Sequence, residues 1–252
     1  MTGTPKVAMV TGGGGGIGGA IAVRLAADGM TVAVTDVAPD AARRTAAAIS
    51  QQGGRASVFV LDVTDPNQVD AAVERVVADA GRIDVLVNCA GIQFNCASAN
   101  LRPEDYLRVI AVNLHGTVYC CQAAGRQMIR QGGGVIINIS SLASSFGWPR
   151  RMPYAVTKAG VAALTRSLAV EWAPHKIRVV AIAPGYVATD LVRHAFEQGH
   201  IKADVVLGEI PQRRLAEPEE IAHLAAFLAS PAAAYITGQE IVSDGGFSVY
   251  KV

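Results

Sequence analysis

The chain has 252 residues, of which 51% are hydrophobic and 17% charged, and its net charge is +1. That length suits one large α/β domain with a full core, and the near-neutral charge argues against electrostatic capture of nucleic acid or an anionic membrane. Four cysteines, Cys89, Cys96, Cys120 and Cys121, show neither metal-ligand spacing nor a disulfide framework.

Strand-like and helix-like segments alternate along the chain. Residues 1–6 lead straight into an apolar run, with no charged and apolar regions of the signal-peptide kind. Residues 6–11 read as a first strand that ends in the run Thr11-Gly12-Gly13-Gly14-Gly15-Gly16-Ile17-Gly18. Residues 16–28 then take helical spacing through Ile17, Ala20, Ile21 and Leu25. Glycines let the backbone approach a pyrophosphate, which rests on the helix N-terminus. Strand, loop and helix are the setting a dinucleotide site requires, and the missing G-K-[ST] ending argues against a P-loop nucleotidase. Residues 31–35 form a buried strand closed by Asp36, twenty residues after Gly16. A carboxylate there binds adenosine ribose hydroxyls and repels a 2′-phosphate, so the expected cofactor is NAD rather than NADP.

Residues 40–52 are expected to be helical, and residues 56–61 form a strand followed by Asp62 and Val63. Residues 66–80 read as a helix with Pro66 in its first turn. Residues 83–87 form a strand closed by Asn88, with Cys89, Ala90 and Gly91 after it. Both strand ends fall on the carboxyl edge of the sheet, where ligands bind in open α/β folds; each is otherwise a simple turn. Residues 102–131 read as one or two helices, with Cys120 and Cys121 as small packing residues. Asn113 lies inside that stretch, where an Asn kinks a helix, binds a water or sits on the surface.

Residues 135–139 form a strand with Ser141 just past its exit, and residues 154–172 a helix. Residues 177–182 are a sixth strand, ended by Ala183, Pro184 and Gly185. Residues 190–214 are polar and irregular with helical patches, as in a closing lid. A helix over 217–228 and a short strand over 239–242 complete the chain. Such alternation implies one doubly wound domain, a parallel sheet covered by helices on both faces. No apolar run approaches the roughly 18 residues of a membrane span. His115, His175, His194, His200 and His223 show no metal-site spacing. A cytoplasmic setting is expected.

Tyr154 and Lys158 stand four apart, which places them on one helix face. A free phenol, with a pKa of about 10, is a poor base at neutral pH, but a nearby ammonium favours the phenolate. Tyr154 is therefore a candidate proton shuttle for an alcohol or a carbonyl. The Ser141 hydroxyl is placed to hold the substrate oxygen beside it. The plainer alternative is a surface Tyr–Lys pair.

Taken in order, T-G-x-x-x-G-I-G, the strand-end Asp36, N-C-A-G, Asn113, Ser141 with Y-x-x-x-K, and P-G-Y-V-A-T resemble the short-chain dehydrogenases/reductases over residues 7–246. The resemblance implies a single Rossmann-type domain with a seven-stranded parallel sheet. It implies a tetrad of Asn113, Ser141, Tyr154 and Lys158, with Asn113 supporting a water that links Lys158 to solvent. Gly12, Gly16 and Gly18 would hold the pyrophosphate, and Ile17 would contribute its backbone. Asp62 and Val63 would flank the adenine, and Asn88, Ala90 and Gly91 would lie close to it. Pro184, Gly185, Val187 and Thr189 would hold the nicotinamide carboxamide. Cys89 stands where the family usually has Asn. The variable substrate wall is expected from residues 93–98, 144–152 and 186–208, with Gln93 and Trp148 as candidates and Arg150 and Arg151 facing solvent or an anion. Residues 238–250 resemble the family's subunit-contact region, which implies a homotetramer.

The activity so implied is an NAD-dependent oxidation or reduction of a small molecule such as a polyol, sugar or hydroxy acid. A 3-oxoacyl carrier-protein reductase is the alternative, disfavoured by Asp36 and by scattered basic residues (Arg126, Arg130, Lys176). A non-catalytic NAD-sensing protein is a third reading, disfavoured by the complete tetrad.

Overall fold

The structure, a computed structural model, describes residues 5–197 and 203–250. Its strands are β1 (Val7–Thr11), β2 (Thr31–Asp36), β3 (Arg55–Val60), β4 (Val85–Asn88), β5 (Gly134–Ile139), β6 (Ile177–Pro184) and β7 (Glu240–Ser243). They form one sheet in the order β3-β2-β1-β4-β5-β6-β7, with every neighbouring pair parallel. The helices are α1 (Gly16–Ala27), α2 (Pro39–Gln51), α3 (Pro66–Ala80), α4 (Pro103–Ile110), α5 (Gly116–Gln131), α6 (Met152–Trp172), α7 (Asp190–Glu197), α8 (Ala203–Glu209) and α9 (Pro218–Ala229).

The strands are apolar on both faces because helices cover both. In β1, Ala8 and Val10 pack into the layer of α1, α2 and α9, while Val7 and Met9 pack into the layer of α3, α5 and α6. Val180 and Ile182 of β6 join the first layer, Ile177 and Val179 the second. A one-residue slip would exchange the faces of every side chain, so two filled layers fix the register. Helix ends follow the local chemistry. Asp65 caps α3 by accepting from the backbone N–H groups of Asn67 and Gln68, Pro66 takes the first turn, and Gly81 closes the helix at φ 81°. That punctuation is why the predicted bounds of 66–80 match.

Strand order reverses at β1, whose neighbours are β2 and β4. Chains leaving β1 and β4 turn in opposite directions, which opens a crevice at the carboxyl edge. The residues that close β1, β2, β4, β5 and β6 all lie on that edge.

Several segments differ from expectation, among them β4, which starts at Val85 instead of residue 83, and α6, which starts at Met152 instead of residue 154. Residues 102–131 are α4 and α5 joined through a π-helical turn, Ala111–His115. The region 190–214 holds two helices, α7 and α8, and is more regular than its polar composition implies. The last strand starts one residue later than read. Residues 198–202 of the expected lid, His200 among them, and residues 1–4 lie outside the described residues. Among the described residues, no helix is long and apolar enough to cross a membrane, and no group of side chains is placed to hold a metal ion.

The glycine loop is as tight as the fold allows at one point. A Cβ on Gly18 would lie 2.2 Å from the Gly12 carbonyl oxygen, whereas a Cβ on Gly15 would meet nothing within 4 Å. We expect Gly18→Ala to destabilise the protein by roughly 1–3 kcal/mol and Gly15→Ala to leave stability unchanged, as measured by urea unfolding.

Candidate active site

The crevice is a cleft of about 760 Å³ at the carboxyl edge. Gly12, Gly16, Ile17, Gly18, Asp36, Asp62, Val63, Ala90 and Gly91 line one end. Gln93, Ser141, Trp148, Tyr154, Lys158, Pro184, Gly185, Val187 and Thr189 line the rest. Of the predicted site residues only Asn88 and Asn113 do not.

The glycine end is shaped for backbone approach. Gly12 and Gly16 have φ of 62° and 53°, a conformation that favours glycine. A Cβ on Gly12 would also fall 2.8 Å from the Ala90 backbone. Thr11 Oγ1 ties the two strand exits together by accepting from the N–H groups of Cys89 at 3.1 Å and Ala90 at 3.2 Å. The N-cap of α1 is Gly15, which offers no side-chain cap, and the first turn contains no acidic residue. First-turn N–H groups are thus left to an anion. Asp36 is held at the rim by two bonds of 2.9 Å, accepting from Gly14 N–H and Ala38 N–H. Cradle, free helix donors and rim carboxylate together fit a dinucleotide.

Asn88 is a correction to the expected cofactor wall. Its side chain turns into the protein, donating to Asn138 Oδ1 at 2.9 Å and Cys121 Sγ at 3.2 Å. Pairing of β4 with β5 puts Asn88 beside Asn138, and Asn138 donates on to Thr165 Oγ1 at 2.9 Å. The strand's two-residue period sends this side chain toward the layer of α5 and α6, so it braces the sheet instead of facing the cleft.

The candidate reacting centre draws on β5, α6 and the π-helical turn. Lys158 is 5% exposed, and its ammonium donates to the Ile139 carbonyl at 2.7 Å. Among the described residues no carboxylate pairs with it. Ser140 Oγ bonds the Lys158 carbonyl at 3.3 Å, which fixes this turn of α6 on the end of β5. The ammonium stands 5.4 Å from the centre of the Tyr154 ring. Ser141 caps a short helical turn, Leu142–Ser144, by accepting from Ala143 N–H at 3.2 Å, and lines the cleft with Tyr154. The surface-pair reading of Tyr154 and Lys158 fails on burial.

Asn113 works from behind. It is 1% exposed, so it is not a helix-surface residue. Its Oδ1 accepts from Ile92 N–H at 2.8 Å, and its Nδ2 donates to the Ile92 carbonyl at 2.9 Å and to Thr157 Oγ1 at 3.3 Å. Thr157 in turn donates to the Tyr154 carbonyl at 2.7 Å. The π-helical turn lets this side chain reach both the strand exit after β4 and the first turns of α6. Cys89 lines the cleft, and burial pushes its thiol up to about 11 despite the nearby Lys158 charge, so it is a protonated wall residue.

Sequence reasoning missed several contributors. Thr11 had a signal, a polar residue ending an apolar strand. Thr157, Arg108 and Phe247 had none, since only the folded chain brings them here. Phe247 lies 6.0 Å, ring centre to ring centre, from both Trp148 and Tyr186.

A family model described as enoyl-(acyl carrier protein) reductase matches residues 12–248. The chain is 46% identical over 245 residues to the short-chain reductase protein NovJ of Streptomyces niveus, covering 96% of this chain and 93% of the other. It is 39% identical to the D-threitol dehydrogenase of Mycolicibacterium smegmatis, covering 97% and 93%. The chain belongs to the short-chain dehydrogenase/reductase family. Solved structures agree. A short-chain type dehydrogenase/reductase from Mycobacterium marinum superposes with a TM-score of 0.93 at 36% identity, covering 97% of this chain and 96% of that one. A gluconate 5-dehydrogenase from Burkholderia cenocepacia, in complex with NADP and tartrate, does so with 0.92 at 35%, covering 98% and 96%. As a short-chain dehydrogenase/reductase the protein is an oxidoreductase of alcohols and ketones that uses a nicotinamide cofactor.

Replacing Asn113 leaves the Ile92 N–H and carbonyl without their partner. Asn113→Ala is expected to lower stability by about 1–3 kcal/mol, read by thermal or urea unfolding. It should also lower kcat, whereas Asn67→Ala, on the exposed first turn of α3, should leave kcat unchanged.

Proposed function

We propose that this protein interconverts a secondary alcohol and its ketone with NAD, using Tyr154 as the proton-transfer group. The observation that carries the reading is the buried Lys158 ammonium, unpaired by any carboxylate among the described residues, beside a cleft-facing phenol. An uncompensated buried cation costs several kcal/mol and persists where its charge has a use. Here it stabilises negative charge on the phenol oxygen as a proton leaves or arrives.

The nicotinamide cofactor, when bound, supplies or accepts the hydride. In alcohol oxidation Tyr154 accepts the hydroxyl proton, and in ketone reduction it returns one to the carbonyl oxygen. Ser141 holds that oxygen by a hydrogen bond. Lys158 also orients the nicotinamide ribose, and Asn113 steadies the backbone around Ile92 and the water path to Lys158. Gly12, Gly16, Ile17 and Gly18 seat the pyrophosphate, Asp62, Val63, Ala90 and Gly91 the adenosine, and Pro184, Gly185, Val187 and Thr189 the carboxamide. Gln93 and Trp148 belong to the substrate wall.

Asp36 supports NAD over NADP, since its fixed carboxylate would face the 2′-phosphate. Two relatives are named for alcohol oxidation, the D-threitol dehydrogenase and a cis-4-hydroxycyclohexanecarboxylate dehydrogenase of Sinomonas cyclohexanicum at 42% identity. The second reading, 3-oxoacyl carrier-protein reductase, has support from a relative so named in Synechocystis at 40% identity. Against it, Arg126 of the supposed docking face is paired with Asp70, and Arg130 donates to Gln127. Turnover of acyl thioesters with NADPH in preference to simple ketones with NADH would favour that second reading.

The reading extends to a cytoplasmic homotetramer. Exposed apolar side chains on the last strand and the stretch after it, Val242, Val249 and Tyr250, support the subunit contact. Val192 of α7 lines the cleft, which supports a substrate-covering role for the region 190–214.

A panel of secondary alcohols and ketones with both cofactors, followed by absorbance of the reduced nicotinamide, tests the reading. Tyr154→Phe should lower kcat by roughly 10²–10⁴-fold while cofactor binding stays near normal. Near-normal turnover in that variant would remove the proposed role. Asp36→Ala should erode the NAD-over-NADP ratio of kcat/KM, and a wild-type preference for NADP would refute the cofactor assignment.

A further inference from the structure

Apart from Lys158, the charged side chains that line the cleft divide by sign between the nucleotide end and the side formed by α4 and α6. Its lining carboxylates, Asp36 and Asp62, close β2 and follow β3, at the nucleotide end. Its lining guanidinium groups, Arg108 and Arg151, lie on α4 and at the start of α6. Arg150, the neighbouring candidate, does not line the cleft and takes a positive φ of 67°.

Arg151 is the N-cap of α6, three residues before Tyr154, so it shares that end of the helix with the phenol. Its guanidinium lies over the Trp148 ring, 5.9 Å from the centre. No ion pair engages it among the described residues. A guanidinium without an ion-pair partner keeps its forked N–H donors for a two-oxygen acceptor. Arg108 lies over the Phe94 ring at 5.7 Å. Its nearest carboxylate, Asp105, is 3.8 Å away and is already bound at 2.8 Å by Arg102. Positive charge at this end is therefore incompletely neutralised.

An aromatic cluster stands beside Arg151. Trp148 stacks on Phe247 with rings inclined by 28°, and Tyr186 meets Phe247 edge-on at 69°. Trp148 and Tyr186 both line the cleft. An aromatic lining favours a ring over a freely hydrated polyol.

We propose that the substrate is a ring-bearing hydroxy or oxo acid whose ring packs against the cleft-lining atoms of Tyr186 and Trp148 and whose carboxylate binds Arg151, with Arg108 adding to the attracting field. The proposal rests on the alcohol–ketone reading for where the reacting carbon sits, while the charge preference stands as a binding property. The probes are phenylglyoxylate, phenylpyruvate and 4-acetylbenzoate, each against its methyl ester. They are titrated calorimetrically into enzyme loaded with oxidised cofactor, where ketones cannot be reduced. At least one acid should bind roughly ten- to hundredfold tighter than its ester, as expected for hydrogen bonds to a charged group. That ratio should fall below about threefold in Arg151→Gln, stay intermediate in Arg151→Lys, and persist in Arg150→Gln. Equal affinity within all three pairs, no measurable binding of any acid, or a preference that survives Arg151→Gln overturns the proposal. Acid preference in binding without reduction of any probe by either reduced cofactor would instead count against the dehydrogenase reading.

Discussion

A single ammonium group sets the terms for the proposed active site. Lys158 is buried with its Nζ on the Ile139 carbonyl and with no carboxylate to neutralise it among the described residues. Pairing it with an acid would be the ordinary way to lower the cost of burial, but would also cancel its field at Tyr154. A carbonyl acceptor holds the group in place and leaves most of the charge available. The end of β5 thus does two jobs, closing a strand and anchoring the cation.

Rigidity around that cation comes from polar side chains spent on backbone groups. Asn113 grips Ile92 from both sides and reaches Thr157, which holds the Tyr154 carbonyl. Thr11 grips the N–H groups of Cys89 and Ala90. Asn113 and Thr11 satisfy backbone donors or acceptors that follow strand ends at the carboxyl edge, and Thr157 one in the first turns of α6. The same edge that is rich in open backbone groups is where a ligand must lie, so bracing and binding share residues. The π-helical turn between α4 and α5 belongs to this bracing, because it lets Asn113 face two elements at once.

Much of the site was legible because its residues are tied to local structure. Glycines with positive φ, an acid at the end of β2, and Tyr154 four residues before Lys158 are constraints that act over a few residues, and pattern reading finds them. Asn88 misled for a related reason. Strand position showed that it sits at the right edge, but the direction of its side chain depended on register with β5 and on Asn138 and Cys121 across the sheet. Region 190–214 looked irregular because short helices with mixed polarity carry little periodic signal.

Sequence by itself determined the alternation of strands and helices, the parallel sheet and the chemistry of the glycine loop and the Tyr–Lys pair, since each follows from spacing along one element. Tertiary structure alone decided that Asn113 is a buried clamp, that Lys158 has no acid beside it, and that Trp148, Tyr186 and Phe247 meet in one wall. Those facts depend on where separate elements pack: Phe247 meets Trp148 in a structure where β7, just before it in the chain, pairs at the edge of the sheet. Local patterns report on turns and faces, whereas burial and side-chain partners are properties of the folded whole.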